Sequence, residues 1–227
     1  MSIMLKGKIS EIFESFQGEG LYLGERQLFV RFFGCNLSCK FCDTKLKKFT
    51  EYTLQDLGRH LSGYGSDYHS VAFTGGEPLL QKDFLKEALQ LTRGQGFKNY
   101  LETNGTLADA LEEVIDAVDI IAMDLKLPSS TSMQDFWQEH QRFLKIASRK
   151  EVFLKIVVCE STGDKDLLKA IILIRDIHPA AVLVLQPNSY EDQGRLKQKL
   201  EDFRDISREN SVISCIIPQV HKVVGVR

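Results

Sequence analysis

No run in this 227-residue chain is long and apolar enough to span a bilayer as a helix. A membrane partner is therefore not expected. The opening Met1-Ser2-Ile3-Met4-Leu5-Lys6 lacks the apolar core of a signal peptide, which points to the cytoplasm. There is little net charge. Lys+Arg 29 against Asp+Glu 31 leaves −2, so no basic field argues for direct contact with nucleic acid. A disulfide framework is also missing. The cysteine count is five, an odd number, and three of them are clustered, which suits a reducing compartment. Internal repeats and low-complexity stretches are absent. What remains is an ordinary globular composition, 43% hydrophobic, enough for a sizeable core. Residues 1–227 read as a single domain with a short C-terminal tail.

Apolar, β-prone runs alternate with helical patterns along the chain. The runs cover 28–33, 70–74, 99–102, 120–125, 151–159 and 181–186. Helices are expected near 53–61, 82–92, 107–117, 133–147, 165–176 and 193–209, and a last apolar run covers 212–217. Such alternation predicts an α/β fold with a parallel sheet and crossover helices. The runs are nearly all apolar, as strands buried on both faces should be. Six parallel strands are too few for a closed eight-stranded barrel, so a partial, open β/α barrel is expected. Polar punctuation follows each strand: Cys35; Thr74-Gly75-Gly76-Glu77-Pro78; Glu102-Thr103-Asn104-Gly105; Asp124-Leu125-Lys126; Glu160; and Gln186-Pro187-Asn188. In a parallel sheet these groups share the C-terminal end, where the chemistry of such folds is placed.

Cys35-Asn36-Leu37-Ser38-Cys39-Lys40-Phe41-Cys42 has the spacing C-x3-C-x2-C, with no fourth cysteine nearby. Three thiolates from one loop can hold three corners of a four-iron cluster and leave one iron open. A structural zinc site or an electron-transfer cluster would want a fourth ligand. A zinc knuckle or a non-catalytic cluster scaffold stays as the bland alternative. Cys159 and Cys215 lie in apolar runs and read as small packed hydrophobes. Gly75-Gly76 after a strand lets backbone approach a ligand closely. Arg31 sits in an otherwise apolar strand, and a buried Arg needs an anionic partner.

The cysteine spacing resembles that of radical S-adenosylmethionine (SAM) enzymes, whose barrels are partial and whose open iron chelates SAM. Gln17-Gly18-Glu19-Gly20, Leu28-Phe29-Val30-Arg31-Phe32, Cys42-Asp43-Thr44, Gly75-Gly76-Glu77-Pro78 and Pro218-Gln219-Val220-His221-Lys222 narrow the resemblance to the 7-carboxy-7-deazaguanine synthase family. It implies radical ring contraction of 6-carboxy-5,6,7,8-tetrahydropterin to 7-carboxy-7-deazaguanine, with loss of ammonia, in queuosine and 7-deazapurine biosynthesis. It implies a 4Fe–4S cluster on Cys35, Cys39 and Cys42, SAM, Mg²⁺ near Thr44, a flavodoxin or ferredoxin as electron donor, and a homodimer. The substrate would be met by Gln17, Glu19, Arg31, Gly75 and His221. Arg31 would pair with its carboxylate, and Glu19 would accept from its ring N–H donors. SAM would be met by Gly76, Glu77, Thr103, Asp124, Lys126 and Gln186. Where many family members carry Ser-Pro-Lys at the fourth strand end, this chain has Met123-Asp124-Leu125-Lys126, keeping the lysine and placing Asp124 for the serine. The other reaction on this scaffold is activation of a glycyl-radical enzyme. Such activases usually follow the last cysteine with His or Asn, where this chain has Asp43.

Overall fold

The computed structural model describes residues 5–42, 46–65 and 67–225. One nine-stranded sheet runs through them in the order β3-β1-β2-β4-β5-β6-β7-β8-β9. The strands are β1 (Lys6–Phe16), β2 (Arg26–Phe32), β3 (Thr50–Thr53), β4 (Ser70–Gly75), β5 (Asn99–Thr103), β6 (Ile120–Asp124), β7 (Glu151–Val158), β8 (Leu183–Pro187) and β9 (Ser214–Ile216). From β2 onward through β9, neighbours in this order pair parallel, while β1 is antiparallel to both β2 and β3. Because β3 and β9 end the order without pairing to each other, the sheet is an open partial barrel. The six expected runs are β2, β4, β5, β6, β7 and β8. The run at 212–217 supplies β9.

The helices are α1 (Leu54–Leu61), α2 (Lys82–Gly94), α3 (Ala108–Val114), α4 (Pro128–Thr131), α5 (Trp137–Ala147), α6 (Asp164–Ile177), α7 (Gln193–Glu209) and α8 (Val220–Val224). Sequence explains their limits. Thr53 caps α1, accepting from the Asp56 N–H while Asp56 returns a bond to the Thr53 N–H, a reciprocal cap at the start of the helix. Asp192 caps α7 through the Arg195 N–H.

The parity of each strand separates the two faces of the sheet. Leu28, Val30, Phe32, Val71, Phe73, Leu101, Ile121, Met123, Leu154, Ile156 and Leu185 join the large core beneath the helices. Phe29, Ala72, Tyr100, Ala122, Phe153 and Val184 form a smaller apolar layer on the concave face. Two residues further along each of these strands, on the same face, stand Arg31, Thr74, Glu102, Asp124, Lys155 and Gln186. The barrel interior is thus an apolar floor below a layer of six polar side chains at the C-terminal strand ends. Burying each large apolar side chain contributes roughly 1.5–3 kcal/mol, which sets the rigid frame for that polar layer.

Candidate active site

The six polar residues face two adjoining cavities. One, of about 400 Å³, is lined by Cys35, Cys39 and Cys42 with Gly75, Gly76, Asp124, Lys126, Lys155 and Gln186. The other, of about 590 Å³, is lined by Glu11, Arg31, Lys47, Lys48, His221 and Lys222. Glu19, Thr74 and Glu102 border both.

The cysteine loop starts where β2 ends, and neighbouring strand ends pin it. Gly76 N–H donates to Phe32 O at 3.1 Å and Glu77 N–H to Gly34 O at 2.8 Å. A Cβ on Gly76 would sit 1.9 Å from Gly34 O, and one on Gly75, at φ +126°, would sit 2.2 Å from Phe32 O. The glycines are therefore required by the close approach of β4 to the cysteine loop itself. Asn104 Nδ2 donates to Asn36 Oδ1 at 2.8 Å, and Asn36 Nδ2 donates to Thr106 Oγ1 at 2.9 Å. Burial pushes the Cys35 and Cys39 thiols up, so cluster loading must displace protons. Among the described residues no group of three His, Cys, Asp or Glu side chains converges on a single metal ion. A four-iron cluster bonds each thiolate through a different iron and does not need such convergence.

The same cavity suits a polyhydroxylated ligand. Asp124 Oδ1 and Gln186 Oε1 are buried acceptors with no hydrogen-bond donor among the described residues. A buried acceptor without a donor is costly, and ribose hydroxyls would supply the missing partners. Lys126 pairs with Asp124 at 2.8 Å and lies over the Phe41 ring at 5.4 Å.

On the border of the two cavities, Glu19 comes from the turn between β1 and β2. Its Oε2 accepts from Lys155 Nζ at 2.5 Å and its Oε1 from Gln219 Nε2 at 2.6 Å. Burial alone would raise its carboxyl. The Lys155 ammonium and the two hydrogen bonds, with the His221 ring adding to them, hold it instead at about 2. The tail clasps this turn: Val220 N–H donates to Gly18 O at 2.9 Å, and a Cβ on Gly18 would sit 2.4 Å from His221 Nδ1. Glu102 accepts from Gln17 Nε2 at 2.8 Å and from Thr74 Oγ1 at 2.5 Å.

Most of the residues singled out from the sequence meet at these two cavities, with three changes of role. The amide of Gln17 is spent inside the protein: Nε2 donates to Gln27 and Glu102, Oε1 accepts from the Glu19 N–H, and the residue is 4% exposed. It shapes the turn instead of offering contacts. Glu77 is fully buried, and its carboxylate accepts from Leu79 N–H, Thr103 Oγ1 and Asn104 N–H. It ties the end of β4 to the end of β5 and takes the Thr103 hydroxyl with it. Arg31 is 31% exposed at its side chain and not buried, and its anionic partner is Glu11 of β1 at 3.0 Å. Thr44 lies outside the described residues. Cys159 is buried and Cys215 half-buried, and neither lines either cavity.

The sequence assigns no role in the site to Thr74, Glu102, Lys155 and Gln219, though all but Lys155 stand in the motifs singled out above. For the first three a signal existed. Each sits two positions beyond an apolar residue of the concave layer, as Arg31 does, and Lys155 interrupts an apolar strand as Arg31 does. Gln219 had no such signal, since it reaches Glu19 across 200 positions of chain.

Residues 29–158 match the Radical SAM superfamily. A 7-carboxy-7-deazaguanine synthase of Geobacter sulfurreducens is 35% identical, the match covering 96% of this chain and 97% of the relative. One of Archaeoglobus fulgidus is 34% identical over 98% of this chain and 100% of the relative. In fold, the crystal structure of QueE from Escherichia coli is similar with a TM-score of 0.64 at 20% identity, covering 93% of each chain. A domain of the pyruvate-formate lyase-activating enzyme from Bacteroides vulgatus gives a TM-score of 0.53 at 19% identity, over 65% of this chain and 98% of that one. With its cysteine loop, its open barrel and full-length relatives at this level of identity, the chain belongs to the radical SAM superfamily and, within it, to the 7-carboxy-7-deazaguanine synthase family.

Proposed function

We propose that this enzyme contracts the ring of 6-carboxy-5,6,7,8-tetrahydropterin to 7-carboxy-7-deazaguanine with loss of ammonia. The observation that carries the reading is the pair of carboxylates, Glu19 and Glu102, on the border between the cysteine cavity and its neighbour. Two acceptors facing one space suit the N–H and NH₂ donors of a pterin edge. Closure of the tail over Gly18 favours a small molecule over a protein backbone, as an activase would require.

Cys35, Cys39 and Cys42 would hold the 4Fe–4S cluster, and Gly76, Asp124, Lys126 and Gln186 would surround SAM. When bound, the cluster and SAM supply a carbon radical that removes a hydrogen atom from the substrate. The chain's own task is positioning, because so reactive a species takes whichever hydrogen is nearest. Arg31, with donors beyond its pair with Glu11, and His221 receive the substrate carboxylate. Mg²⁺, which keeps most of its waters, would be held with the help of Thr44. The finer expectations are a flavodoxin or ferredoxin donor, a cytoplasmic homodimer and a role in queuosine or other 7-deazapurine synthesis.

The test is anaerobic reconstitution with iron and sulfide, followed by addition of reductant, SAM, Mg²⁺ and the pterin, with mass analysis of the products. The deazapurine acid is expected from the wild type and not from Cys42→Ala. Cleavage of SAM with the pterin unchanged would overturn the reading. Thr44→Val should weaken the Mg²⁺ response while leaving iron content unchanged. An undiminished response would place the metal elsewhere.

A further inference from the structure

Lys155 belongs to the polar layer, yet the reaction as proposed gives it no task. Its Nζ donates to Glu19 Oε2 at 2.5 Å and lies 3.5 Å from Asp124 Oδ2. The exposures of Lys155, Glu19 and Asp124 are 16%, 21% and 14%, so the three charges meet with little water between them. Glu19 rides on a turn, between Gly18 and Gly20, whereas Lys155 and Asp124 are paired residues of adjacent strands. The ammonium is thus fixed by the barrel, and the carboxylate is fixed by the ammonium.

We propose that Lys155 is a positioning residue for the substrate: its ammonium, braced on Asp124, holds Glu19 as an oriented, charged acceptor for the pterin's N–H donors. This rests on the reading of Glu19 as a substrate ligand. A carboxylate offers about four acceptor positions, and Lys155 and Gln219 take two. Both remaining positions are acceptors for ring N–H groups only while the group is ionised. Protonation would replace an acceptor by an O–H donor facing other donors.

The groups around Glu19 show why the ammonium is needed. Asp124 on β6 and Glu102 on β5 are like charges to it. Lys155 on β7 and His221 on α8 favour its ionised form. Glu77 gives an internal comparison. Among the described residues it is a buried carboxylate without a salt bridge, and despite its hydrogen bonds burial pushes it up to about 7. Burial would lower the Lys155 pKa, but Glu19 and Asp124 override that and raise it, which keeps the ammonium charged.

The decisive experiment measures equilibrium binding of 6-carboxytetrahydropterin to the reconstituted enzyme with SAM but without reductant, so that no turnover occurs, between pH 6 and 8.5. Comparing variants at each pH cancels the titrations they share. Relative to wild type, Lys155→Met should lose affinity as pH falls, by about tenfold per pH unit once Glu19 takes up its proton, while Lys155→Arg keeps the wild-type profile. In turnover, Lys155→Met should raise KM far more than it lowers kcat. Glu19→Gln should bind about 10- to 100-fold more weakly, with no added pH dependence. The double variant Lys155→Met/Glu19→Gln, which removes the charges as a pair, should equal Glu19→Gln, and it serves even if Lys155→Met alone does not fold. A Lys155→Met profile parallel to wild type would overturn the proposal. So would a double variant much weaker than Glu19→Gln, since Lys155 would then act on the substrate directly. Wild-type affinity in Glu19→Gln would instead remove Glu19 from the substrate site, and the role of Lys155 would fall with that reading.

Discussion

Glu77 is a buried carboxylate and Glu19 a half-buried one, and their surroundings drive them in opposite directions. Glu77 has its folded value raised to about 7 from an ordinary 4.5. The folded state therefore binds the extra proton between those values, and the stability Glu77 contributes is present below about 4.5 and lost as pH rises to 7. Its weight is on the order of 3 kcal/mol. Glu19 is lowered to about 2, so its contribution is present above about 4.5 and lost as pH falls toward 2. Unfolding measured by denaturant across pH 3–8 should show both slopes, and Glu77→Gln should remove only the one above 4.5. An unchanged slope in that window would mean that Glu77 is not the group titrating. For the thiols, Cys35→Ala, Cys39→Ala and Cys42→Ala should each lose bound iron on reconstitution. Cys159→Ala and Cys215→Ala, in apolar packing, should keep it. Iron loss in a folded Cys159→Ala protein would count against the three-cysteine assignment.

The strand ends and the loops between them decide whether these residues meet. Gly76→Ala is the sharpest probe, because its Cβ would strike backbone, Gly34 O, and not a side chain able to turn aside. The cost should be at least about 1–3 kcal/mol, seen as a lower melting temperature and as lost iron, since the cysteine loop hangs from that contact. Much of this was legible from sequence. The buried parallel strands announced themselves as apolar runs between turn signals, and their common polar ends located the site. β1 was overlooked because its burial alternates along Lys6-Gly7-Lys8-Ile9, whereas the reading sought continuous apolar runs. β3, Thr-Glu-Tyr-Thr at the sheet edge, has no fully buried residue to write a pattern into its sequence. The Gly75-Gly76-Glu77-Pro78 element was rightly placed. Its glycines and glutamate serve the joint between β2, β4 and β5, a task that appears only once strand order is known. Arg31 was noticed as a charge in an apolar strand, and the same argument applied to Lys155 would have found the ion pair with Glu19.

Across the whole molecule, a single sheet links the cysteine loop at one strand end to the tail that covers Glu19. Calorimetry of the chain should accordingly show one cooperative transition, as one domain requires, and two separable transitions would divide it. The fold is similar both to QueE and to a domain of a pyruvate-formate lyase-activating enzyme, so the reaction must be judged on its products and not on the barrel. The most direct measurement is the stoichiometry of an anaerobic reaction with limiting SAM, excess reductant and 6-carboxy-5,6,7,8-tetrahydropterin. One ammonia per 7-carboxy-7-deazaguanine, with several of each formed per SAM supplied, is the result expected of a ring contraction that returns its initiator. SAM consumed with neither ammonia nor deazapurine released would contradict the account.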